Sequence, residues 1–492
     1  MPLNLASPGI VIREVDLTLG RVDPTSGSIG ALVAPFSKGP VNEPQLIESE
    51  EDLLQTFGQP YPVDKHYEHW MVASSFLAYG GTMQVVRADD NNTATGVGVS
   101  NAFVGTATSI RVLSNTHYNQ LGYDENTITG ATVVAKNPGT WANGVRVAII
   151  DSLADQTLTV QDANTFAVGT AVTVSATGIK KPTATGTETL DGYIKGIVTE
   201  TPTTTTLGVK VISHVSAAGT VTNVEYGGIY KFGSGTNSVE VGLTTAGGTI
   251  DGTGGANTIT KEVDWFENQN IVLTSKDANG NPITLEWDQL ANAPGTSAYV
   301  AARGGRNDEV HVVVIDDKGT VTGNAGTILE KHLNLSKAKD GEYSVGSTSY
   351  WRKYLATNSK YIFGGGAPHT GITTTGYSDG TVLDADSGWD QDGANVNFGA
   401  SGVFTASLEK GANYGGHQDY TTTGSMSSGV DDLITGYGLF ENTEETEVDF
   451  ILMGSANYDK DTAQSLAQKC IAVAEARKDA VAFISPYRQA FL

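Results

Sequence analysis

Short β-branched runs and helical stripes alternate at the two ends of this chain, while the middle loses the helical rhythm. Near the start, Ile10, Val11, Ile12, Arg13, Glu14, Val15 and Asp16 follow the turn signal Ser7-Pro8-Gly9 and predict a strand. Gly20 and Pro24 come next, with no helical pattern attached. Residues 1–25 therefore read as an arm. Its strand needs a sheet, supplied either by its own domain or by a neighbouring subunit. Periodicity alone favours an edge strand of the chain's own sheet.

Residues 26–92 alternate strand, helix and strand. Ile29–Ala34 is a short apolar strand. Ser49 is placed to cap a helix over Glu50–Phe57, with Asp52 three residues on and Gly58 as its stop. Asp64 is expected to open a second helix running to about Tyr79, with Tyr67, Trp70, Met71, Ser74 and Ala78 on one face. Met83–Ala88 is the next strand. This order predicts an open sheet covered by helices.

Residues 93–304 are rich in Gly, Thr, Ser, Asn and Val. Val145–Ile150, Leu158–Val160, Ala171–Val174 and Leu207–Ile212 read as strands between turn signals, as in a β-sandwich or barrel. Residues 305–492 return to the mixed pattern. Val310–Ile315 and Tyr361–Phe363 are strands, and the polar stretch 371–428 reads as a surface loop or small β excursion. Asp431–Glu441 is a helix and Val448–Met453 a buried strand. Asp459 or Asp461 caps a helix to about Lys478 with the stripe Ala463, Leu466, Ala467, Cys470, Ile471 and Ala474. Ala480–Ser485 is the strand after it, which completes a right-handed βαβ unit. The fold class is thus an α/β core, residues 26–92 plus 305–492, split by a β-rich insertion that forms one or more outer sandwich- or barrel-like domains.

Charge narrows the function classes. With 54 acidic and 30 basic residues the formal net charge is −24. Such a surface repels phosphate backbones and anionic membranes, so direct nucleic-acid contact and membrane insertion are not expected. Cys470 is the single cysteine, so no disulfide forms within one chain. The start Met1-Pro2-Leu3-Asn4 shows no signal-peptide pattern.

Candidate chemistry is thin. His66, Glu68 and His69 share one helix, but the two histidines stand at i, i+3 rather than the i, i+4 of H-E-x-x-H, so an ordinary helix surface is expected. Asp384, Asp386, Asp390 and Asp392 lack the order of a calcium loop and read as a solvated turn. Gly364-Gly365-Gly366 follows a strand without a phosphate-loop pattern. Ser455 has no base near it in sequence and reads as part of a loop leading into a helix. Cys470 reads as packing. Asn91-Asn92-Thr93 reads as a turn. No cofactor, metal or catalytic set is expected.

The opening Ser7–Asp16, then Ser37-Lys38-Gly39-Pro40, Asp52–Gly58, Phe76–Gly81 and Val85–Ala88 stand in an order that resembles contractile tail sheath proteins of T-even-like phages. Asn137–Gly144 and the late unit Val448–Pro486 are similar to the same family. The resemblance covers both ends of the split core and little of the insertion. It implies a structural subunit, not an enzyme. Such subunits stack as six-fold discs in a helix around a tail tube, between baseplate and tail terminator proteins, in a virion assembled in the host cytoplasm. Contraction then drives the tube through the host envelope. The resemblance also implies that residues 10–16 exchange into a neighbour's sheet, and that a further C-terminal region follows a segment like Phe483–Pro486. On that basis the chain is expected to be a shortened, monomeric form. Two other readings stand beside it: a β-rich surface or adhesin-like structural protein, from the Gly/Thr-rich middle, and an α/β enzyme with a β insertion.

Overall fold

The computed structural model describes residues 28–90, 98–121, 128, 130–151, 156–159, 162–175, 192–204, 206–223, 231–232, 239–240, 258–264, 269–303, 308–365, 403–456 and 459–487. The expected strand Ile10–Asp16, the Asn91-Asn92-Thr93 turn and the Asp384–Asp392 loop lie outside them.

One five-stranded sheet joins the two ends of the chain. In chain order its elements are β1 (Ile29–Ala34), β2 (Gln45–Ile47), helix α1 (Glu50–Phe57), helix α2 (His66–Ala78), β3 (Thr82–Arg87), helix α3 (Val430–Gly438), β4 (Phe450–Leu452), helix α4 (Lys460–Arg477) and β5 (Val481–Phe483). The strand order is β2-β3-β1-β4-β5. β1 pairs in parallel with β3 and β4, and β4 with β5; β2 is antiparallel.

Alternation along β1 divides the core into two layers, because successive side chains leave opposite faces of a strand. Ala31 and Val33 meet Leu433, Tyr437, Leu466 and Cys470 under α3 and α4. Leu32 and Ala34 meet Leu53, Phe57, Trp70 and Leu77 under α1 and α2. α3 lies close on β1 at Gly436, where a Cβ would sit 2.5 Å from Cγ1 of Val33. α1 is built as the sequence predicts: the hydroxyl of Ser49 accepts from the amide of Asp52, and Gly58 ends the helix at φ 83°.

Several expectations change. α2 starts at His66, because Asp64 and Lys65 adopt left-handed backbone at φ 52° and 51°. The Asp64 carboxylate instead accepts from the amides of Gly424 and Met426. The buried face of α2 is His66, His69, Trp70, Ala73, Ser74 and Leu77, while Tyr67 and Met71 are exposed. On α4 the inward set runs Ala463, Leu466, Cys470, Val473 and Arg477, with Ile471 half exposed. Arg477 is held inside by donating to the carbonyls of Phe440 and Thr446 and by pairing with Asp479.

The other sheets are antiparallel. A four-stranded sheet orders Thr327–Ser336, Glu309–Asp316, Val145–Asp151 and Val403–Ser407. Strands on either side of residue 304 therefore share one sheet. The described part of the polar stretch 371–428 is no surface loop: Val403–Ser407 is a sheet strand, and Leu408 and Tyr414 are fully buried. A six-stranded sheet is built from strands between Gln156 and Asp264, and a three-stranded one from Ile362–Gly364, Ala131–Ala135 and Phe103–Gly105. The fold is mixed α/β with many sheets, and among the described residues none closes into a barrel.

Candidate functional site

Among the described residues, β5 is the outer strand of the five-stranded sheet. The amide of Val481 donates to the carbonyl of Asp449, and the carbonyl of Phe483 accepts from the amide of Met453. Residues 481 and 483 thus spend their main-chain groups on β4. In a parallel pair the intervening residue faces the other way, so the N–H and C=O of Ala482 face the open edge. Unpaired strand edges of this kind are templates for adding another strand.

The α2 face of the sheet runs out of cover at the same edge. Phe450 and Leu452 leave β4 on that side, and Phe483 leaves β5. α2 lies over β1 and β3 but stops short of β5, leaving a groove of about 680 Å³. Its walls are almost wholly apolar: Tyr67, Met71, Phe76 and Tyr79 from the helix side, with Phe450 and Phe483 from the sheet. Phe450 is 6.0 Å from Phe76 and 5.7 Å from Phe483, centroid to centroid. Val481 and Phe483 are 57% and 54% exposed, and Tyr79 is 94% exposed. A contiguous apolar surface beside an open strand edge is the signature of an interaction site.

The histidines flagged in the sequence lie on the buried face of α2 rather than on a helix surface. His66 and His69 are buried. Nδ1 of His66 accepts from the amide of Tyr61 at 3.0 Å, and Nδ1 of His69 accepts from the amide of Ser455 at 3.2 Å. Burial holds both well below the ordinary value of 6.5, at about 4 and about 3. Glu68, on the groove wall, accepts from the hydroxyl of Ser455. Both neutral rings act as hydrogen-bond acceptors: His69 ties α2 to the loop after β4, and His66 ties it to the segment that precedes the helix. Cys470 sits in the α4 core, where burial pushes its thiol up to about 12. Among the described residues no three His, Cys, Asp or Glu side chains gather as a metal site, and no helix is long and apolar enough to cross a membrane.

Sequence reasoning missed this edge and groove: it placed Met71 on the same helix face as Trp70 and read Phe483 only as part of a strand. The residues proposed from sequence for strand exchange, Ile10 to Asp16, fall outside the described residues, so nothing here places them.

No family profile matches the chain. Among curated proteins, the tail sheath protein of Enterobacteria phage T4 is 38% identical over 92 residues, which is 19% of this chain and 14% of that relative. The tail sheath protein of Vibrio phage KVP40 is 35% identical over 92 residues, 19% of this chain and 13% of the relative. Both matches thus span well under a fifth of the relatives' own lengths. A solved sheath tail protein from Listeria innocua aligns over 42% of this chain and 30% of its own at 14% identity, with a TM-score of 0.15, too low to support a shared fold. Over part of its length the chain therefore has homologues among phage tail sheath proteins, the family its ordered motifs resemble.

Proposed function

We propose that the chain is a structural subunit of a contractile phage tail sheath. Copies polymerise around a tail tube as hexameric discs stacked in a helix, between baseplate and terminator proteins. Assembly takes place in the host cytoplasm and the product is part of the virion. Contraction drives the tube through the host envelope, and no enzymatic step is involved. The observation that carries this reading is the pairing of an open strand edge at β5 with the apolar groove beside it.

On this reading the arm of a neighbouring copy, residues Ile10 to Asp16, adds to β5. Within β5, ladder bonds form through the N–H and C=O of Ala482, because Val481 and Phe483 are already bonded to β4. Each contributes about 0.5–1.5 kcal/mol net, so an arm of a few bonds is weak alone and strong when repeated through a lattice. Ile10 and Ile12 leave the same face of the arm, and burying that face in the groove would add roughly 25 cal/mol per Å² of apolar surface. Main-chain bonds at the edge keep copies connected while globular bodies repack between two arrangements.

The test is electron microscopy of the assembling protein with and without residues 1–25. Tubes or rings that form only when the arm is present support the reading. Persistent monomers at high concentration with the arm intact count against it.

A further inference from the structure

A second cavity, of about 520 Å³, opens between the loops after β1 and α1 and the four-stranded sheet. Its walls include Ser37, Lys38, Gln59, Tyr61, Trp141 and Tyr420. Tyr61 and Tyr420 stack at 4.2 Å with planes 6° apart and give it a flat aromatic side. Lys38 is its one charged wall residue among the described residues.

The charge balance around this cavity is unusual for so acidic a chain. The Lys38 amine donates to the carbonyl of Gln55 at 3.0 Å and lies 5.1 Å from the centre of the Trp141 ring. Among the described residues no carboxylate comes within ion-pair distance of it. Arg87 is fully buried and is not a wall residue, but it donates to the carbonyl of Gly39, next to the wall residue Lys38. Arg87 Nη1 donates to the carbonyls of Gly39 and Pro138, while Nη2 is buried without a hydrogen-bond partner. Lys38 therefore gives this cavity a wall of positive potential, with no acidic side chain among its described wall residues. A buried charge without an anionic partner is costly, and an incoming carboxylate relieves that cost.

We propose that this cavity is a carboxylate-binding site filled by an Asp or Glu side chain of a second copy of the chain. The carboxylate chemistry follows from Lys38, the one charged wall residue among the described residues. The second copy as its source rests on the self-assembly proposed above, and a surface carrying 54 acidic residues offers many candidates. An amine and a carboxylate held in contact are joined by a water-soluble carbodiimide: an amide forms between them, and the reagent takes up the water lost as its urea.

The test has two arms. In the unassembled chain, free glutamate is added during trace acetylation. Lys38 should be slowed several-fold relative to the exposed Lys353, and an equal slowing at both would overturn the carboxylate site. In particles assembled from mixed light and heavy isotope chains, carbodiimide should give mixed-isotope peptides joining Lys38 to an Asp or Glu, absent in Lys38→Gln. Protection by glutamate without any mixed-isotope product would overturn the second copy as the source. Particles seen by microscopy separate either result from a failure of assembly itself.

Discussion

Nδ1 of His69 accepts a hydrogen bond from the amide of Ser455 at 3.2 Å, across 386 residues of chain. This bond fastens α2, from the first part of the split core, to the loop that leaves β4 in the second. It exists only while the ring is neutral, because a protonated imidazole has no acceptor nitrogen.

Acid should therefore loosen this sheet. His66 and His69 titrate at about 4 and about 3 when folded, against 6.5 otherwise. Burial is the main cause; for His66 the nearby Arg87 adds to it and Asp64 opposes it. Below pH 6.5 the unfolded chain takes up protons that the folded chain refuses, so stability is complete above that value and falls as pH drops. Each histidine should remove about 3 kcal/mol by pH 4. Thermal melts from pH 7.5 to 4.5 should show that slope, and His69→Gln should flatten it.

The turn after β4 is equally tight. Gly454 has φ 74°, and a Cβ there would sit 2.6 Å from Nδ1 of His69. Gly454→Ala should cost about 1–3 kcal/mol, from left-handed strain plus displacement of the ring. Urea titration measures it, and an unchanged midpoint would contradict the described packing.

Cys470 should be silent toward thiol reagents in the folded protein and react only in denaturant. Its thiol is buried and pushed up to about 12, so thiolate is scarce near neutrality. Alkylation followed by mass spectrometry checks this, and labelling under native conditions at the rate of an open thiol would contradict it.

The open edge makes a separable prediction. Ala482→Pro removes the one N–H of β5 that faces outward and leaves the bonds of Val481 and Phe483 to β4 in place. Proline is tolerated on the free side of an edge strand. The variant should melt within a few degrees of the parent, at roughly 1 kcal/mol or less, and fail to polymerise. Normal assembly by the variant would remove β5 as the accepting strand.

How much of this was legible in the sequence depended on whether the cause was local. The α1 helix could be read because Ser49, Asp52 and Gly58 supply its cap and its stop within ten residues. The β1, β3, β4 and β5 strands could be read as apolar runs. The inward face of α2 could not: Tyr67 and Met71 share helical spacing with Trp70, but where β5 ends the sheet decides which of them is covered. Arg477 could not be placed either, since its partners Phe440 and Thr446 lie on the chain before β4. Polar composition hid the burial of Tyr414, whose hydroxyl donates to the carbonyl of Ala88, 326 residues away. The groove and the Lys38 cavity belong to the same class, because each is walled by segments that only the fold brings together.

A density map of the assembled tail tests the strand-addition claim most directly. Residues 10–16 of one copy should be seen in register against β5 of another, with Ala482 in the ladder and apolar side chains of the arm in the groove beside Phe483. The same residues folded back on their own body, with β5 bare or covered by something else, would contradict it.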